Sequence, residues 1–389
     1  LRREFRGAVT DGDALPTSDD AMIKIAVPAE TTPGEQRVAL VPESAAKLIK
    51  SGAQVVVQRG AGARAGFPDE LYEKAGATLA ADAAAACKDA DVVLHVRRPS
   101  NEDAALLKPG AVLIALLQPT QSADLFAALA ARKVSALALE RVPRITRAQS
   151  MDVLSSQSTA SGYKAVLLGA ASLGKFLPML TTAAGSIRPA QVFIIGAGVA
   201  GLQAIATARR LGGVVSAFDV RAAAAEQVKS LGATFVATEL VSAGAEDKGG
   251  YAKAQAEDER ARTLDAIGKH IVSQDLVITT ALIPGKPAPV LITADMVQKM
   301  RPGAVIVDLA AEAGGNCELT KPGETIVAHG VTIMGAMNLA ATVPLHASEM
   351  LSRNVQTLLA ALIKDGALKI DPAEEITKAM LVTHDGAIL

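Results

Sequence analysis

From Met22 onward the chain carries short runs of Val, Ile, Leu and Ala without polar alternation: IKIAV, QVVVQRG, DVVLHV, AVLIALL and VSALALE, reaching about Val142. Apolar runs of this length are expected of strands buried on both faces, as happens when helices cover both sides of a parallel sheet. Between them lie segments of helical spacing, such as EQRVALVPESAAKLIKSG and LYEKAGAT, which stop at Gly52 and Gly76, where a helix end favours glycine. Residues 149–180 read as mostly helical and predict a long connection. A second alternating unit follows, with QVFIIGAG, VVSAFDVR, ATFVA, DLVITT, AVIVDLA and VTIMG each leading into a helix or a long loop. After Pro344 the helical run LHASEMLSRNVQTLLAALIKDG closes the chain and is placed to pack back on the first unit.

This pattern predicts an α/β protein with two Rossmann-like parallel-sheet domains joined by long helices. The expected first domain is residues 22–155 plus 350–389, and the second is 156–349. Residues 1–21 mix charge, Gly, Pro and Ser and read as a disordered extension or tag. Residues 238–261, containing AGAEDKGGYAKAQ, interrupt the alternation; a long loop of this kind is either a lid over a ligand or a plain insertion.

Composition narrows the partners. With 39 Lys and Arg against 40 Asp and Glu, no polyanion-binding surface is indicated, and nucleic acid is a poor candidate. Cys87 and Cys317 are isolated and read as buried thiols; the five histidines lack metal-ligand spacing, so no metal is expected. The apolar stretch 166–180 carries Lys175 and Pro178 and falls short of the roughly 20 residues that cross a bilayer.

The chemistry concentrates in QVFIIGAGVAGLQAIATARRLG. Gly196, Gly198 and Gly201 follow an apolar strand and open a helix: the first permits a tight turn, the second a close approach to a pyrophosphate, and the third close packing of helix on sheet. The next strand ends at Asp219, 18 positions beyond Gly201, where a carboxylate accepts from ribose hydroxyls and repels a 2′-phosphate. This favours NAD(H), although Arg221 could assist a phosphate. Residues 22–155 offer only one histidine, His95, with Arg97 on the same side of the predicted strand; the two form either a substrate pocket or a structural basic cluster. Hydride transfer between two nicotinamide rings needs no proton transfer at the reacting carbons, so a site without a general acid suits that reaction.

RITRAQSMDVLSSQS, GAGVAGLQAIATARRLG, GGYAK, TTALIPGKPAPVLIT and DLAAEAGGN together resemble the alanine dehydrogenase and transhydrogenase NAD-binding family, and within it the transhydrogenase alpha branch, from Met22 to Leu389. The resemblance implies that Arg144, Asp152 and Ser155 orient the nicotinamide of NAD(H), with Gln149 facing the partner's nucleotide; without it, polar groups before a helix can also be read as caps, and Asp152 alone supports that reading as well. It implies that Tyr251 folds over bound nucleotide and that Ala281, Leu282 and Pro284 lie under it. Val199, Ala200, Val220, Arg221 and Asn338 complete the expected cofactor-binding set.

Two departures from the alanine dehydrogenase branch matter: its catalytic Lys position holds His95 and its catalytic His position Gln118, while Glu312 stands where an aspartate is expected. His95 also departs from the lysine common among transhydrogenases. The implied activity is that of a proton-translocating NAD(P)+ transhydrogenase. This chain would be a homodimer holding NAD(H), an NADP(H)-binding partner would take the hydride, and a membrane-spanning proton-channel subunit would keep it at the cytoplasmic face of the membrane. The alternatives are a stand-alone amino-acid dehydrogenase using His95 and Arg97, and a non-catalytic NAD-binding protein.

Overall fold

The computed structural model describes residues 22–240, 257–283 and 286–389. The first buried runs become β1 (Lys24–Val27), β2 (Gln54–Gln58), β3 (Thr78–Ala80), β4 (Val92–Leu94), β5 (Val112–Ala115) and β6 (Ser135–Ala138). They pair in parallel in the order β3-β2-β1-β4-β5-β6, so the chain reverses its direction of growth between β1 and β4. Alternate residues feed opposite cores. Ile25, Val27, Val55 and Leu94 pack on one face, while Ala26, Val93, Leu113 and Leu129 pack on the other.

A surface hairpin, β7 (Leu180–Thr182) with β8 (Gly185–Ile187), precedes the second sheet. That sheet comprises β9 (Gln191–Ile195), β10 (Val214–Phe218), β11 (Thr234–Phe235), β12 (Leu276–Thr279), β13 (Val305–Asp308), β14 (Thr325–Ala328) and β15 (Val331–Gly335). Its order is β11-β10-β9-β12-β13-β15-β14, parallel except for the edge strand β14. The same reversal recurs here, between β9 and β12.

The predicted connection is shorter than 149–180. A 3₁₀ segment, Thr146–Met151, precedes a 20-residue helix, Val153–Ser172, and Gly174 and Pro178 then lead the chain into the β7–β8 hairpin. This helix lies on the helix Val199–Arg210, and Gly162 lets the two backbones meet, since a Cβ there would overlap the Ala200 carbonyl oxygen.

The closing helix also ends sooner than expected. Pro344–Leu362 sends Leu351, Val355, Leu358 and Leu359 into the core of the first sheet, but β16 (Ile363–Lys364) and β17 (Ala367–Leu368) follow as a hairpin. A short helix, Glu375–Met380, then leads to β18 (Leu381–His384), which pairs antiparallel with β6, and to β19 (Ala387–Ile388) at the sheet's edge. Both hairpins turn on Asp-Gly, with φ of 53° and 73° at Asp365 and Gly366 and of 46° and 87° at Asp385 and Gly386. Asp-Gly is the pair that tolerates two successive positive φ angles in a tight turn, and it was the available sequence signal for these strands.

Candidate nucleotide-binding site

The glycine run sits where the second sheet reverses, at the carboxyl ends of its strands, which is where open parallel sheets form a crevice. Gly196 turns with φ of +96°, and a Cβ on Gly201 would overlap the Gly196 carbonyl oxygen, so this helix can start against the turn only with glycine there. Gly198 is extended, and nothing lies within 4 Å of where its Cβ would be. The helix Val199–Arg210 has no side-chain cap and no acidic residue in its first turn, while Arg209 and Arg210 occupy its last. Its leading N–H groups and dipole therefore present a partial positive charge to the crevice, and with the clearance at Gly198 this fits a dinucleotide diphosphate. Val199 and Leu282 expose apolar side chains at the same edge.

Asp219 is buried directly after β10. Its Oδ2 accepts from the Ala197 N–H at 2.7 Å, which ties the strand end to the glycine turn. Arg221 grips the same carboxylate: its backbone N–H and Nε each donate to Oδ1 at 2.9 Å, and its Nη2 donates to Oδ2 at 2.8 Å. Val220 lies between them, half-buried.

The floor of the crevice rests on two residues that sequence reasoning passed over. Asn316 accepts from the Ala281 N–H at 2.9 Å and returns its own amide N–H to the Ala281 carbonyl at 2.9 Å. Asn316 is itself held by Asp308, which is fully buried and accepts from Thr279 Oγ1, Ala310 N, Asn316 N, Cys317 N and Thr320 Oγ1. Burial of a lone carboxylate is costly, and these donors offset that cost. The signal was present in DLAAEAGGN: an acid at a strand end is followed by Gly314 and Gly315, both with positive φ, and a Cβ on Gly315 would come within 2.9 Å of the Asp308 carboxylate.

Asp152 caps the long helix, with Oδ1 accepting from the Ser155 N–H at 2.9 Å and Oδ2 from the Ser155 hydroxyl at 2.6 Å. The capping interpretation of this pair is therefore real geometry. It also fixes the orientation of both side chains. Arg144 and Gln149 are exposed on the preceding segment, and Arg147 between them bridges to Glu374 and Glu375 ahead of β18. Tyr251 and Pro284 lie outside the described residues.

Asn338 joins a buried cross-link between the two sheets. Its amide donates to Glu35 Oε2 and its carbonyl accepts from Arg37 Nη2, each at 3.0 Å, while Arg37 holds Glu35 through two nitrogens and reaches Gln157 on the long helix at 2.7 Å. Burial pushes the Glu35 carboxyl upward, but Arg37 and Asn338 outweigh it and hold the group below the ordinary glutamate range.

His95 falls just beyond β4. It is buried, with Nδ1 3.3 Å from Glu30 Oε1, and the same carboxylate accepts from the backbone of Val96 at 2.6 Å and Arg97 at 3.2 Å. The Arg97 side chain instead reaches toward Glu312, 4.0 Å away, and Glu312 accepts from the Asn338 N–H. Gln118, with φ of 50°, has its backbone N–H held by Glu140. The side chains of His95 and Arg97 thus each face a carboxylate, Glu30 and Glu312 respectively.

The profile of the alanine dehydrogenase/PNT N-terminal domain matches residues 26–161, and that of the C-terminal domain matches 165–389. The chain is 48% identical over 377 residues to the first segment of the NAD(P) transhydrogenase alpha subunit of Rhodospirillum rubrum, covering 94% of this chain and 98% of that one. A crystal structure of transhydrogenase from Sinorhizobium meliloti superposes with a TM-score of 0.83 at 44% identity, covering 94% of this chain and 98% of that one. The alanine dehydrogenase of Halomonas elongata is more distant, 32% identical over 373 residues and 94% of each chain.

Proposed function

The chain belongs to the alanine dehydrogenase/PNT family, and from that premise we propose that it is the NAD(H)-binding component of a proton-translocating NAD(P) transhydrogenase. The observation that carries this reading is the difference in identity, 48% to a transhydrogenase alpha-subunit chain over almost its whole length against 32% to an alanine dehydrogenase. Two site features support it. His95 and Gln118 replace the Lys and His that the resemblance assigns to amino-acid oxidation, and His95 is committed to Glu30.

Bound NAD(H) would supply the hydride. The protein's role is to position it. The glycine turn and the helix Val199–Arg210 would hold the diphosphate, Asp219 the adenosine ribose, and the Asn316-braced backbone at Ala281 and Leu282 the underside of the nucleotide. Arg144, Asp152 and Ser155 would orient the nicotinamide, with the Asp152–Ser155 bonds limiting the rotamers of both. Gln149, exposed on the same segment, would meet the nucleotide of the NADP(H)-binding partner, and Tyr251 would close over NAD(H). Holding two rings at a near-attack separation of about 3 to 3.5 Å supplies most of the catalysis, with no general acid or base.

Among the described residues no helix is long and apolar enough to cross a membrane, so in this reading proton movement resides in a separate membrane-spanning subunit. A homodimer at the cytoplasmic face of the membrane completes the proposed assembly. The test mixes the chain with a separately purified NADP(H)-binding component and follows hydride transfer from NADH to NADP+, with alanine and NAD+ given to the chain alone in parallel. Transfer only in the mixture supports the proposal; alanine turnover by the chain alone would overturn it.

A further inference from the structure

Gly196 turns the chain at the end of β9 with φ of +96°, and with no side chain of its own it does little to fix the plane of the peptide that follows. That plane is held from outside, at both ends. The peptide is trans, so its carbonyl and its N–H point in opposite directions. The Ala197 N–H donates to Asp219 Oδ2 at 2.7 Å, and the Gly196 carbonyl accepts from the Thr280 hydroxyl at 3.0 Å. Asp219 follows β10 and Thr280 follows β12, the two strands that flank β9, so each neighbour of the central strand supplies one tie. The Thr280 hydroxyl also lies 3.5 Å from the Ile195 carbonyl, but that oxygen already accepts from the Thr280 N–H at 2.8 Å, and the shorter contact takes the single hydroxyl proton. The Gly196 carbonyl is the group that a Cβ on Gly201 would strike, so its direction also sets how closely the helix Val199–Arg210 starts against the turn.

We propose that Thr280 is a positioning residue for the nucleotide diphosphate: its hydroxyl fixes the Gly196–Ala197 peptide plane and, through it, the aim of the leading N–H groups of the helix Val199–Arg210. The proposal rests on the reading of this crevice as the NAD(H) site. Without the hydroxyl, the carbonyl end of the plane loses its tie while the N–H end keeps its bond to Asp219, and the plane can swing about that bond. Gly198 and the start of the helix follow Ala197 directly and swing with it. A diphosphate then meets donors that it must order on binding, and that ordering lowers its affinity. An adenosine held at Asp219 alone carries no such cost.

The experiment follows NADH binding to the full chain by nucleotide fluorescence, and ADP-ribose and adenosine by displacement of NADH, in the wild type and in Thr280→Ser, Thr280→Ala and Thr280→Val. Thermal unfolding without ligand shows that each variant is folded. Serine and alanine both lose the methyl group, so the difference between them isolates the hydroxyl. Thr280→Ala is expected to bind NADH and ADP-ribose about tenfold more weakly and adenosine within about twofold of wild type, whereas Thr280→Ser stays within about twofold for all three. Thr280→Val lacks the donor, sets a methyl group against the carbonyl, and weakens NADH and ADP-ribose at least as much as Thr280→Ala; it stands in if the alanine variant does not fold. Donor-free variants that bind NADH as the wild type does, a serine variant as weak as alanine, or equal weakening of adenosine and ADP-ribose would each overturn the positioning role while leaving the NAD(H) site in place. A wild-type chain that binds neither NADH nor ADP-ribose overturns the site reading itself, and the role of Thr280 with it.

Discussion

The two large sheets share a topology and differ in what fills the point where each reverses. In the second, β9 runs through a glycine turn straight into a helix whose leading N–H groups face the crevice. In the first, β1 is followed by a long loop, and its helix begins only at Pro42. There the Glu30 carboxylate, arriving just after β1, accepts from the backbone N–H groups of Val96 and Arg97 just beyond β4 and lies against His95. The first crevice thus carries its own anion, supplied by the chain; the second leaves comparable donors for one brought from outside. Topology creates a crevice in each sheet, and the residues of the first turn decide whether it receives a ligand.

The largest expected effect comes from breaking the cross-link that joins the sheets. Arg37→Met leaves Glu35 buried without its partner and should cost about 3–5 kcal/mol in chemical unfolding. The pH dependence should change sign. In the wild type the Glu35 carboxyl is held low, so it contributes stability above its unfolded value, and this is lost as pH falls through the lower folded value. In the variant an unpaired buried carboxyl titrates high, so acidification should relieve the defect. A wild-type-like pH profile in Arg37→Met would show that Glu35 is not the group at stake.

Gly201→Ala tests the second crevice directly. Its methyl group would overlap the Gly196 carbonyl, and separating helix from turn should weaken NADH binding by about 100-fold or more, equivalent to about 3 kcal/mol. Binding within twofold of wild type would remove the glycine turn from the site.

Glu30→Gln is the matching change in the first crevice. It keeps the shape and loses the charge, so it should cost about 1–2 kcal/mol of stability and leave NADH affinity unchanged. A loss of NADH affinity at constant folding would mean that the two crevices communicate.

The smallest effect is expected at Glu374, where the loop bearing Arg147 is tied to the strand pair of the C-terminus. Burial raises this carboxyl, but the Thr377 and Ile376 amides and Arg147 outweigh it and bring it down to about 2. Its contribution is present above the ordinary value of 4.5 and lost as pH falls toward 2. Glu374→Gln should therefore cost about 1 kcal/mol near neutrality, judged from its capping bonds, with the difference from wild type vanishing near pH 2. A difference that persists unchanged at pH 2 would rule out the charge as its source.

Much of the molecule was readable along the chain because the relevant physics is local. A strand buried on both faces must be apolar at every position, and the apolar runs found nearly every parallel strand. The turn at Gly196 cannot carry a side chain without strain, and Gly201 lies only five positions away, so the glycine run announces its own geometry. Asp219 follows at the end of the next strand for the same reason. The hairpins at Asp365-Gly366 and Asp385-Gly386 were equally local, and helical periodicity masked the first of them.

Other features had no local signature. Arg37 and Asn338 are 301 positions apart, and β18 finds β6 across 249, the separation between Ser135 Oγ and His384 Nδ1, which lie 2.9 Å apart. Glu30 looks like any exposed polar residue until the sheet brings the Val96 and Arg97 amides to it. The sequence by itself determined the strands, the glycine turn and the acid that follows it, since neighbouring residues impose those conformations. Only the tertiary structure decided which buried charges are compensated and which crevice stays open, because hydrogen-bond partners are set by proximity in space and not by spacing along the chain.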